Sequence, residues 1–147
     1  MLKPPPQGAV PAFRFEIPIR WGDMDAMGHV NNTVYFRYME QARISWFEAL
    51  QVRPNPEGSG FLIVNAQCDF IRQLKYPGVV RVDTYVGDIG RSSFDTWIEM
   101  SPVHDAGQVY ARGGARIVWV NFPLGRSEPL PPDVLARVTN PIAAIHR

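Results

Sequence analysis

The stretch WGDMDAMGHVNNTVYFRYMEQARISWFEAL, residues 21–50, decides the fold because it holds a long helical pattern behind a polar loop. Asn31 or Asn32, at the end of that loop, is a suitable N-cap. From residue 33 to residue 50 apolar side chains recur at steps of three and four, which predicts an amphipathic helix about 27 Å long. The stripe consists of Tyr35, Tyr38, Met39, Ala42, Trp46 and Ala49, and Phe36, Ile44 and Phe47 lie outside it. The second set indicates that protein covers most sides of the helix.

Alternating apolar and polar residues predict strands on both sides of this stretch. Residues 13–21 alternate before it, with Trp21 on the apolar face, and Pro18 indicates a strand at the edge of a sheet because proline has no N–H to donate. Four further alternating runs follow, at residues 64–70, 80–86, 94–100 and 109–119. Short turns join the last three, so we expect an antiparallel meander. One long helix and five strands predict an α+β domain whose sheet buries its apolar face on the helix.

The composition is that of a globular protein with one domain. The 147 residues are 46% hydrophobic and 20% charged, and the net charge of +1 gives no general attraction to nucleic acid. The sequence has no run of about 18 apolar residues that could span a membrane. We expect a cytoplasmic protein, because the sequence has no signal-peptide core and only one cysteine. That cysteine, Cys68, is expected to be a small core residue.

Three regions are expected along the chain. Residues 1–12 are proline-rich and should form a disordered N-terminal arm. Residues 13–121 should form the folded domain. Residues 122–147 should form a proline-rich tail with a short helix at residues 132–138.

The loop between the first strand and the helix is the candidate for chemistry. The sequence has neither a G-x-S-x-G elbow nor a G-x-G-x-x-G loop, and its histidines, His29, His104 and His146, are too scattered for a metal site. We therefore expect no metal and no organic cofactor. Asp23 and Asp25 both favour turns, and the pattern alone leaves open whether Asp25 takes part in chemistry. The physical case is positional, because free N–H groups at a helix N-terminus attract a carboxylate and can polarise a carbonyl.

The segment RWGDMDAMGHVNNTVYFRYMEQARISWF, residues 20–47, resembles the opening of the 4-hydroxybenzoyl-CoA thioesterase family within the hotdog superfamily. That family has an alternating strand, then G-D-x-D-x-x-G-x-V, then a helix rich in tyrosine and phenylalanine. The GHVNN version is most similar to its acyl-CoA thioester hydrolase branch. The resemblance continues to about residue 121, and GRSSF at residues 90–94 is similar to the family's turn before its fourth strand. It implies the hotdog fold, a five-stranded antiparallel sheet wrapped around one long central helix, and a homodimer or homotetramer.

The resemblance also implies roles for individual residues. It assigns catalysis to Asp25 rather than Asp23, and the oxyanion-binding backbone N–H to Asn32 or a neighbour. His29 and Asn31 either orient water or the thioester, or hold the shape of the loop. The candidate CoA-binding residues are Asn31, Tyr35, Arg91, Ser92 and Ser93, the last three in a turn that could equally be solvated. Some hotdog thioesterases place their carboxylate on the helix, where Glu40 is the candidate, with a paired or solvated role as the alternative.

The expected activity is hydrolysis of an acyl-CoA thioester, with Asp25 as nucleophile or as general base. The alternative is a hotdog module that binds acyl-CoA or acyl-carrier protein without catalysis. A hotdog dehydratase lacks support, because its usual histidine–aspartate arrangement is not visible. The sequence does not define the acyl group, or choose between CoA and a carrier protein.

Overall fold

One antiparallel sheet curls around a central helix in the computed structural model, which describes residues 2–142. The elements in chain order are β1 (Phe13–Pro18), α1 (Asn32–Ala49), β2 (Ser59–Phe70), β3 (Val79–Ile89), β4 (Ser93–Pro102), β5 (Ala111–Asn121), β6 (Arg126–Ser127) and α2 (Pro132–Thr139). Short 3-10 turns lie at Trp21–Asp23 and Val103–Asp105. Predictions for residue 1 and residues 143–147, His146 among them, lie outside the described residues.

The strand order is β1-β3-β4-β5-β2, and the two-residue β6 pairs with β5. The α+β hotdog architecture and the β3-β4-β5 meander are therefore confirmed, with one short strand more than the five expected. Strand β1 lies at one edge, as Pro18 indicated, and β2 lies at the other edge. Strand β2 thus leaves one side of its backbone without a neighbouring strand in the described chain.

Helix α1 starts one residue before the predicted position. The side chain of Asn31 caps it by accepting a 2.9 Å hydrogen bond from the Thr33 N–H. The predicted stripe faces the sheet, where Trp46 is fully buried and packs edge-on against Phe94, and Met39 lies beneath Gly113. Glycine at position 113 allows this close packing, because a Cβ there would meet the Met39 Sδ.

Two features of the structure differ from the sequence-based expectation. Trp21 is 73% exposed rather than on the buried face, because β1 ends at Pro18 and the chain turns through a 3-10 segment. The core also continues past residue 121, where Leu130, Val134 and Val138 are buried. Helix α2 presents two of these residues one turn apart, so the tail closes one end of the sheet.

Candidate active site

A tight turn shapes the backbone around Asp25. Met24 and Val30 form a bridge at its base, and the Asp25 N–H donates a 2.8 Å hydrogen bond to the carbonyl of His29. The Gly28 N–H donates back to the Asp25 carbonyl at 3.0 Å, with Gly28 in the left-handed region at φ 77°. Asp25 Oδ1 accepts from the Met27 N–H at 2.9 Å, and the side chain is exposed. The turn therefore holds a carboxylate in a defined orientation at the surface.

Asp23 has a different environment from Asp25. Its Oδ2 accepts hydrogen bonds from the Arg20 N–H at 2.9 Å and from the buried Tyr38 hydroxyl at 2.7 Å. Burial alone would raise the pKa of Asp23, but these hydrogen bonds and the charge of Arg20 outweigh it, so the pKa is lowered. The Asp23 carbonyl accepts from the Asn31 N–H at 2.9 Å. Asp23 thus ties the loop to α1 and sets where the helix begins.

The helix start lies just beyond the turn. Asn31 Oδ1 accepts from both the N–H and the hydroxyl of Thr33, each at 2.9 Å, so this side chain is engaged in capping. Asn32 is the first residue of α1 and is exposed. The first N–H groups of a helix have no partner within the helix, so they can donate to an approaching oxygen. His29 lies between Asp25 and the start of α1 along the chain and is half-buried.

Tyr35 lies in the core rather than at a surface. Its hydroxyl accepts a 3.1 Å hydrogen bond from the buried Leu74 N–H, and the Leu74 carbonyl accepts from Val30 at 2.8 Å. Burial raises the pKa of Tyr35. The ring packs edge-on against Phe70, with centroids 5.0 Å apart. Within one chain, Tyr35 positions the loop from the interior and does not line it.

The turn formed by Arg91, Ser92 and Ser93 lies at the other end of the sheet from Asp25. Pro18 pairs with Val79 at the end of β3 near the Asp25 loop, and the turn follows Ile89 at the opposite end. Those ten steps along β3 span roughly 33 Å. Two carbonyls of this turn accept hydrogen bonds from other segments of the chain. The Arg91 carbonyl accepts from the Leu130 N–H, and the Ser92 carbonyl accepts from the Trp119 N–H. A single chain therefore does not bring the turn and Asp25 together.

Two other candidates from the sequence have ordinary surroundings. Glu40 is exposed and accepts a 3.0 Å hydrogen bond from Arg37, which is the paired arrangement considered above. Cys68 is partly buried against the core, and burial raises the pKa of its thiol to about 12. A thiol with that pKa is a weak nucleophile near neutral pH.

An apolar groove of about 500 Å³ lies between the C-terminal half of α1 and the start of β2. We call it the Phe47–Phe61 groove; its apolar walls are Ile44, Phe47, Val52, Phe61, Ile63 and Phe122. The Phe47 and Phe61 rings are 4.6 Å apart, and Phe61 packs edge-on against Trp119. Phe47 follows Asn32 by fifteen residues, or roughly 22 Å of helix. The groove and the Asp25 loop therefore lie at opposite ends of α1.

The sequence did not reveal this groove. Its walls come from the helix, the edge strand and the tail, so no single periodicity links them. The available signal was Ile44 and Phe47, which lie outside the buried stripe of α1.

Residues 19–138 match the model of the thioesterase-like superfamily, from just after β1 through most of α2. The chain belongs to this superfamily. The match includes the Asp25 loop, the start of α1 and the tail helix. It does not establish the narrower 4-hydroxybenzoyl-CoA thioesterase assignment.

Solved structures of proteins named as thioesterases are similar over most of their length. A proposed thioesterase from Pseudomonas aeruginosa superposes with a TM-score of 0.81 at 35% identity, covering 86% of this chain and 97% of that protein. A gentisyl-coenzyme A thioesterase gives 0.73 at 26% identity, covering 86% and 99%. A thioesterase from Thermus thermophilus, solved with coenzyme A and zinc, gives 0.73 at 29% identity, covering 87% and 92%.

A curated relative matches a shorter segment. The uncharacterized protein YsmA of Bacillus subtilis (strain 168) is 29% identical over 82 residues, which are 56% of this chain and 56% of YsmA. The match therefore spans little more than half of that relative's length.

Within residues 2–142, neither helix is both long and apolar enough to cross a lipid bilayer. The same residues contain no group of three or more His, Cys, Asp or Glu side chains arranged to hold a metal ion.

Proposed function

We propose that this protein is a cytoplasmic acyl-CoA thioesterase of the acyl-CoA thioester hydrolase branch, with Asp25 as its catalytic carboxylate. The observation that carries the proposal is the position of Asp25, an exposed carboxylate fixed by the Met27 N–H within a few residues of the α1 N-terminus. Superfamily membership and neighbours named as thioesterases support it.

The chemistry divides between the helix and the carboxylate. The thioester carbonyl oxygen accepts from the backbone N–H of Asn32 or a neighbour, and the partial positive charge of the helix end stabilises the developing oxyanion. Asp25 then has two routes. It adds to the carbonyl carbon and expels CoA thiolate, leaving a mixed anhydride that water hydrolyses, or it takes a proton from water as that water adds and the C–S bond breaks. Both routes give the free acid and CoA.

The active unit we propose is at least a homodimer joined along β2. This edge strand exposes Leu62, Val64 and Phe70, and Phe36 of α1 is exposed next to Phe70. An open edge with apolar side chains is a typical site for pairing with another strand. A two-fold axis at the middle of β2 pairs the strand with its own copy in antiparallel orientation.

Such a dimer completes the site from two subunits. The Phe70 end of β2 lies beside the N-terminal half of α1, and the Phe61 end borders the Phe47–Phe61 groove. Antiparallel pairing therefore brings the Asp25 loop of the partner subunit towards the groove. The 91–93 turn lies at the same end of the sheet as the groove, because Ser93 pairs with Val118 and Phe61 with Trp119. Asp25 of one subunit and the candidate CoA-binding turn of the other then border one site, with the acyl group in the groove.

The experiment that tests this function is release of free thiol from a panel of aliphatic and aromatic acyl-CoAs by the purified protein. We expect turnover of at least one thioester. Tight binding of acyl-CoA with no thiol release from any member of the panel would contradict the proposal and favour the non-catalytic binding module.

A further inference from the structure

Arg43 is a half-buried cation in the wall of the Phe47–Phe61 groove. Its neighbours there include the apolar side chains of Ile44, Phe47 and Ile63. Among residues 2–142, its guanidinium forms no hydrogen bond and no salt bridge. Burial lowers the pKa of Arg43, and only the charge of Glu40 acts in the opposite direction.

Within the described residues, none of the other charged side chains of the groove forms a hydrogen bond or salt bridge with Arg43, although the charge of Glu40 acts on it. Glu40 is held by Arg37 at 3.0 Å on the solvent side of α1, and both side chains are more than half exposed. Glu48 and Arg53 also border the groove and are exposed. The Arg43 nitrogens keep some accessible surface, because none of them is among the fully buried polar atoms that lack a partner. Arg43 therefore presents five unpaired donors at the wall of an apolar groove, where a bound anion could accept them.

We propose that Arg43 makes the groove selective for acyl groups that carry a second carboxylate at their far end. The inference rests on the proposed function, because it places the acyl group in this groove. The occupant follows from charge complementarity: methylene groups of the acyl chain contact the phenylalanine rings, and the planar guanidinium donates two parallel hydrogen bonds to the terminal carboxylate. An acyl chain of the same length with a methyl end would leave the guanidinium unpaired.

The test compares adipoyl-CoA with hexanoyl-CoA, which have six-carbon acyl chains and differ in the terminal carboxylate. The readout is the ratio of their kcat/KM values for the wild type, Arg43→Met and Arg126→Met. Methionine keeps an unbranched side chain and removes the charge, and Arg126 is an exposed control on β6 outside the groove. We expect the wild-type ratio to favour adipoyl-CoA, Arg43→Met to lower it at least about tenfold, and Arg126→Met to leave it unchanged.

Two results would overturn the inference. Equal losses of kcat/KM on both substrates would assign Arg43 to the shared CoA portion or to the partner subunit. Unchanged kcat/KM values for both substrates would show that Arg43 does not bind the terminal carboxylate. If the wild type hydrolyses neither thioester, the wider acyl-CoA panel decides the proposed function separately, and the same comparison is made with Kd values from calorimetry. A tenfold loss of adipoyl-CoA affinity relative to hexanoyl-CoA in Arg43→Met would then still support the inference, and an equal affinity change would reject it.

Discussion

The Tyr38 hydroxyl donates a 2.7 Å hydrogen bond to Oδ2 of Asp23, joining the buried face of α1 to the loop that carries Asp25. The same Asp23 side chain accepts from the Arg20 N–H where β1 gives way to the loop. One carboxylate therefore connects strand, loop and helix. Asp25 is left exposed at the surface, so two aspartates two residues apart have different environments.

Tyr38→Phe should lower the free energy of unfolding by about 1–3 kcal/mol at neutral pH, because a partly buried carboxylate loses a donor. The pKa of Asp23 is lowered in the folded state, so its contribution to stability is present above the unfolded-state pKa of about 3.9 and is lost as the pH falls through the folded-state pKa. Urea unfolding at several pH values should show the gap between wild type and Tyr38→Phe narrowing below pH of about 4. A gap that stays constant down to pH of about 2 would show that the hydrogen bond to ionised Asp23 is not its source.

Gly113→Ala should destabilise the fold by about 1–3 kcal/mol, because the new methyl group meets the Met39 Sδ and the buried Met39 side chain must shift within a packed core. Gly114→Ala is the matched control, since its Cβ would meet nothing closer than the Thr96 carbonyl oxygen at 3.4 Å. Thermal unfolding of both variants measures the difference. Equal losses would mean that backbone flexibility, and not packing of α1 on β5, explains the glycine.

Val64→Arg should convert the proposed dimer towards monomer. Val64 is 54% exposed near the centre of β2, so a two-fold axis there brings its two copies close together, and like charges facing each other are unfavourable. Light scattering should give a lower mass for this variant, and thiol release should fall with it, because each site needs two subunits. Val103→Arg is the control on an exposed residue away from β2. A wild-type protein of monomeric mass with full activity would reject the shared site.

Much of the fold could be predicted because local patterns carry it. The three-four spacing of α1 and the alternation of β3, β4 and β5 each reflect contact with one shared core. Trp21 was placed wrongly because alternation continues past the point where hydrogen bonds to Asp23 turn the chain. A short helix was expected at residues 132–138, but the packing of Val134 and Val138 on the core was missed because the proline-rich tail has no apolar pattern long enough to indicate a buried face.

The candidate site was only partly accessible from sequence. Asp25 and the helix start are adjacent along the chain, so a local motif could place them together. The groove joins Phe47, Phe61 and Phe122 from three distant segments. Asp25 and the 91–93 turn lie far apart within one chain, and only the dimer we propose would bring them to one site. The distances between such segments depend on the curvature of the sheet and on assembly, and a periodic sequence pattern does not predict them.

Asp25→Asn tests the central claim most directly. The substitution keeps the size of the side chain and an oxygen that can accept from the Met27 N–H, so the turn should remain folded. Thiol release from the best acyl-CoA of the panel is compared among wild type, Asp25→Asn and Asp88→Asn, an exposed control on β3. We predict a fall in kcat of roughly 10²–10⁴-fold for Asp25→Asn with unchanged thermal stability, and wild-type kcat for Asp88→Asn. Near wild-type kcat in Asp25→Asn would contradict the account.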